Sequence, residues 1–158
     1  LIGNWEIVAV LPNDSGDWGP PVARAYWEGR YALGGFAVVD YWYDEIPWET
    51  EGAPTRGLNT RMFDPETGVW QMAWQHTDLA GVRRLQARRE GSEVAMWQLN
   101  DDGSRLETRR TRFHDIAEDS WVRTDWRLAE DGQTWNKALR LEATRLPCPV
   151  PGADRGGD

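Results

Sequence analysis

From Gly68 to His76 the chain reads GVWQMAWQH, with Trp70, Met72, Trp74 and His76 at every second position and Gln71, Ala73 and Gln75 between them. Residues two apart share one face of a strand, so this run predicts a β-strand whose Trp-Met-Trp-His side looks at something apolar. A helical period fits it poorly. The stripe is read as lining the inside of a β-barrel.

The punctuation on either side supports an antiparallel sheet. FDPETGVW (63–70), LNDDGSRL (99–106) and LAEDGQTW (128–135) each set Gly, with Asp or Pro, between alternating apolar segments. That is hairpin chemistry, with Gly68 at positive φ. Strands are predicted near residues 4–11, 22–31, 35–43, 57–63, 69–76, 82–89, 93–100, 105–114, 120–128 and 135–145. Short links without a helical pattern make this an all-β meander, and about ten twisted strands in series favour closure into an antiparallel up-and-down barrel.

Two connections are read as longer. One is LPNDSGDWGPP (11–21); the other is YDEIPWETEGAPTRG (43–57), whose Trp48 is a lid candidate for a cavity mouth. Residues 1–146 are assigned to one barrel domain, and 147–158, rich in Pro and Gly, to a mobile tail.

Alternation then sorts side chains into inside and outside. In 22–31, Ala23, Ala25, Trp27 and Gly29 are expected inward. In 35–43 neither face is apolar throughout, so both stay candidates: Asp40 with Trp42, or Tyr41 with Tyr43. An inward Asp40 would be a carboxylate in an aromatic hollow, its pKa raised by desolvation unless a cation pairs with it. Arg61 inward would need Asp40 or a ligand anion as counter-charge. In 120–128 the set Val122, Thr124, Trp126 and Leu128 is read as inward, opposite Trp121, Arg123, Asp125 and Arg127. In 135–145, Trp135, Leu139, Leu141 and Ala143 are grouped on one face with Lys137.

Composition sharpens the picture at few points. A chain of 158 residues is long enough for a core without staples. Its single cysteine, Cys148, excludes an intrachain disulfide, and with only His76 and His114 as histidines no metal site is expected. The formal charge of −8 argues against nucleic acid and anionic membranes as partners. Two arginine groups, around 83–89 and 105–112, are read as outer strand faces paired with carboxylates. No signal peptide or apolar span is visible, so a cytoplasmic location is expected, and the pattern leaves oligomeric state open.

Eleven tryptophans are the strongest compositional signal. Trp70, Trp74, Trp97 and Trp126 are assigned to cavity walls, with Met72 adapting the fit and Trp42 and Arg61 as further ligand contacts. His76 and Asp40 are the candidates for polar ends or for acid-base catalysis. No nucleophile elbow or phosphate loop is present.

The runs WEGRYALGGFAVVDYWY, RMFDPETGVWQMAW and DSWVRTDWRLAEDGQTW, with Gly57 between the first two, resemble a bacterial family of uncharacterised proteins with a lipocalin-like, calycin-type barrel, similar in outline to fatty-acid-binding proteins. The resemblance implies a central cavity suited to a small apolar molecule; the tryptophans make that molecule aromatic or polyene-like, and no cofactor is expected. It transfers no catalytic residue. Related barrels include carriers as well as lyases, isomerases and cyclases, so cofactor-free acid-base chemistry on such a molecule is the alternative.

Overall fold

The computed structural model describes residues 1–45 and 56–147. Ten strands follow one another: β1 (Gly3–Pro12), β2 (Trp18–Ala32), β3 (Ala37–Glu45), β4 (Arg56–Asp64), β5 (Val69–His76), β6 (Arg83–Glu90), β7 (Glu93–Gln98), β8 (Arg109–His114), β9 (Ser120–Leu128) and β10 (Trp135–Leu146). Each pairs antiparallel with its sequence neighbours, and β10 returns to β1 to close the barrel. Among the described residues the only helical piece is one 3-10 turn, Leu33–Gly35. The expected all-β, up-and-down architecture is what forms, and closure leaves no unpaired sheet edge.

The turns form for the reasons their sequences give. The Asp64 carboxylate accepts from Glu66 N at 3.0 Å and Thr67 Oγ1 at 2.7 Å, and Gly68 turns the chain at φ 67°. Asp131 repeats the device, accepting from Gln133 N at 2.9 Å and Thr134 N at 2.8 Å ahead of Gly132. These hydrogen bonds favour the charged carboxylates and hold both below their usual pKa.

Three boundaries differ from expectation. LPNDSGDWGPP is not a long connection: Asn13 Oδ1 accepts from Ser15 N at 3.1 Å and Asp17 N at 3.0 Å, making a tight turn between extended arms of β1 and β2. Register shifts beside Val10 and Pro12 absorb Pro20 and Pro21, which lack a donor for the ladder. On the far side, β7 and β8 are shorter than the pattern suggests: Asn100 and Ser104 close a turn on each other at 2.8 Å, and beyond it the arms are joined by an isolated Leu99–Arg105 bridge and by Leu106 N donating to Gln98 O at 2.8 Å. Finally, a bulge between Lys137 and Leu139 divides β10.

Odd-numbered strands run from one end of the barrel to the other and even-numbered strands return. At the end where β1 begins, Trp5, Trp27, Phe113 and Trp121 meet as a packed floor. Trp27 and Trp121 cross edge to face with centroids 4.9 Å apart, and Trp5 and Trp121 at 6.0 Å. Ile7, Ala25, Leu141 and Ala143 complete this buried cluster. Edge-to-face aromatic contacts add to the area these rings bury, so this end is the rigid one.

Candidate functional site

Above the floor the barrel keeps a cavity of about 920 Å³. This falls in the range of small-molecule sites. The stripe on β5 borders it in full: Trp70, Met72, Trp74 and His76 all line the space. Ladder partners explain the geometry. Trp74 lies opposite Asn59 and His76 opposite Gly57, and a Cβ on Gly57 would come within 2.2 Å of the Trp74 ring. Gly57 is therefore the gap into which that indole fits.

The ambiguous third strand turns Asp40, Trp42 and Asp44 to the cavity, and Tyr41 outward. Asp40 is almost fully enclosed, at 2% exposure. Arg61 from β4 also points inward and donates to Asp40 Oδ1 at 2.5 Å, while Asn59 Nδ2 donates to Oδ2 at 3.0 Å. The Trp27 indole N–H faces the same carboxylate without a hydrogen bond of normal geometry. Burial raises the Asp40 pKa above its ordinary value, and Arg61 is the main opposing influence. Around this pair Asn59 Oδ1 and Arg61 Nε are buried without a hydrogen-bond partner among the described residues.

His76 stands at the other end of the stripe, its ring stacked on Trp74 with centroids 5.7 Å apart. The backbone N–H of Asp78 donates to its Nδ1 at 3.3 Å. Its Nε2 lies 3.5 Å from Asp44 Oδ2, and the other Asp44 oxygen accepts from Trp42 Nε1. Both ring nitrogens thus face protein groups.

The other two proposed wall residues, Trp97 and Trp126, also border the cavity, from ladder positions that differ from those of the β5 stripe. Trp97 pairs with Gln86, whose neighbours Leu85 and Ala87 face the cavity, so alternation puts the Trp97 ring on the other side of the sheet. There its Nε1 donates to Gln86 at 3.0 Å and Arg105 covers it at 4.0 Å. Trp126 pairs with Arg110 and Lys137, on the face opposite to Asp125 and Leu139. Trp42, Trp70 and Trp74 lie on strand faces that alternation turns into the cavity. Trp48, the lid candidate, lies outside the described residues.

The reason for the error on β9 is charge. Trp121, Arg123, Asp125 and Arg127 look like a solvated face, yet they are the inward set, with Trp121 fully buried in the floor. Arg123 and Asp125 neutralise each other at 3.0 and 2.7 Å, and Thr111 from β8 donates to the same carboxylate at 2.7 Å. On β10 the bulge reverses the alternation, so Leu139, Leu141 and Ala143 face in while Trp135 and Lys137 do not. Arg83 and Arg109, expected outside, also line the cavity.

Among the described residues no cluster of His, Cys, Asp or Glu could hold a metal ion, and no helix is long and apolar enough to cross a membrane. No family model matches the chain, and no curated protein matches it by sequence. What the geometry defines is a class: a closed ten-stranded antiparallel barrel with an aromatic floor and a Trp-lined interior.

Proposed function

We propose that this protein binds a small, largely apolar molecule, aromatic or polyene-like, inside the barrel, in the manner of a lipocalin-like carrier. The observation that carries this reading is the unfilled 920 Å³ space bounded by Trp42, Trp70, Met72 and Trp74. Flat indole faces and a deformable thioether suit a planar hydrocarbon body. At the inner end, Asn59 Oδ1, without a partner among the described residues, offers an acceptor to a polar group of the ligand. Saturable quenching of Trp emission by a planar apolar probe such as N-phenyl-1-naphthylamine is the expected result, weakened about tenfold or more by Trp74→Ala. A flat titration with the wild-type protein would remove the carrier reading.

A second reading, cofactor-free acid-base catalysis as a lyase, isomerase or cyclase, draws on the raised pKa of Asp40 within the same cavity. Yet the Asp40 oxygens are engaged by Arg61 and Asn59, and His76 sits between Asp78 and Asp44. Binding is therefore the reading the geometry favours. Were chemistry the function, His76→Ala or Asp40→Asn would lower turnover of a bound substrate about 100-fold with little change in its affinity. Equal turnover in both variants would exclude these roles.

A further inference from the structure

The end of the barrel opposite the aromatic floor carries an uneven charge. On β3 and β5 it holds Asp44 and His76; on β6, β8 and β9 it holds Arg83, Arg109 and Arg127, all lining the cavity. Arg109 and Arg127 are direct ladder partners, so their side chains leave the sheet side by side on the inward face. Arg83 lies on the same face, across from Trp74. Arg109 and Arg127 are exposed and Arg83 half-buried, which places them at a rim that solvent reaches.

Like charges so arranged repel one another unless something neutralises them. Partial burial and the charges of Arg127 and Arg83 make the protonated form of Arg109 less favourable, with Asp125 opposing. Asp125 is already committed, since Arg123 takes both its oxygens and Thr111 one of them. Among the described residues none of the three arginines forms an ion pair or a hydrogen bond. In a chain of net charge −8, three guanidinium groups without an ion pair among the described residues face one hollow.

From this convergence we infer that the ligand is an amphiphile with an anionic head, a carboxylate or sulfonate-like group, held by Arg83, Arg109 and Arg127 at the mouth while its apolar body lies along Trp70, Met72 and Trp74. Guanidinium forks suit planar or tetrahedral oxyanions, and charge-assisted hydrogen bonds outweigh neutral ones. The local positive field also draws anions toward a molecule that repels them elsewhere. This inference rests on the cavity-binding reading and specifies one end of its ligand.

Two probes of common body separate the two ideas: 8-anilinonaphthalene-1-sulfonate, and N-phenyl-1-naphthylamine, which lacks the sulfonate. The wild-type protein is expected to bind both, the sulfonate more weakly as salt is raised. The triple variant Arg83→Gln, Arg109→Gln, Arg127→Gln should lose about tenfold or more in affinity for the sulfonate and keep its affinity for the neutral probe. If that variant does not fold, the three single variants carry the test, each lowering sulfonate affinity alone. Unchanged sulfonate affinity in the variants, with the neutral probe still bound, overturns the arginine site and leaves the cavity reading standing. Failure of the wild type to bind either probe overturns both.

Discussion

At the scale of single residues, the Asp40 and Arg61 pair shows how one buried charge fixes the need for another. Asp40 at 2% exposure would be untenable alone, and Arg61, its side chain 15% exposed, supplies both the counter-charge and a hydrogen bond. Arg61→Met is expected to destabilise the fold by about 3–5 kcal/mol, because it leaves a carboxylate buried without its cation. Chemical denaturation at neutral pH measures that loss. The pH dependence has a definite sign. Because the folded pKa of Asp40 is raised, its contribution is most favourable below the ordinary value of 3.8 and is lost as pH rises through the folded value. Arg61→Met removes the opposing influence and raises that folded value further, so its deficit should shrink as the pH is lowered toward 4. A deficit that does not depend on pH would show that Asp40 is not what the variant exposes. The sequence showed that Arg61 would need such a partner if it faced inward; it did not show which face of β3 would provide it.

At the scale of strands, what matters is which pairs meet across a ladder. Gly57 on β4 faces His76 and leaves room for Trp74, so two strands share a single steric decision. Gly57→Ala puts a methyl group against the indole and should cost about 1–3 kcal/mol in thermal or denaturant stability, with Trp74 displaced and probe affinity reduced. A variant as stable as the wild type and unaltered in Trp emission would mean that the ring has another place to go. The β5 stripe was legible because its alternation is local and one-sided: Gln71 and Gln75 cannot compete with Trp and Met for the interior. In β9 the same reasoning gave the wrong face. Both faces carry one Trp in mid-strand or at its start, and two of the inward charges, Arg123 and Asp125, are already paired, a fact that belongs to them and Thr111 together rather than to any one strand. The β10 bulge, one residue wide, was invisible for a similar reason: an extra residue leaves composition unchanged while it flips every side chain beyond it.

At the scale of the whole molecule, closure divides the interior into two parts of different kinds. One end is filled by Trp5, Trp27, Phe113 and Trp121, which supply cohesion; the other remains hollow and ends at charged rims. The tryptophans serve both ends: Trp5, Trp27 and Trp121 pack the floor, while Trp42, Trp70 and Trp74 border the hollow. By itself the sequence determined the strands, the Asp and Gly turns that connect them, the inward stripe of β5 and the closed architecture, because each follows from period-two alternation and turn chemistry acting over a few neighbouring residues. Only the tertiary structure decided which tryptophans form the floor and which the wall, that Asp40 faces Arg61, and that arginines from three separate strands converge on one mouth. Those outcomes depend on curvature and register summed around ten strands, where a single bulge or one neutralised charge pair reverses an assignment that local pattern cannot correct.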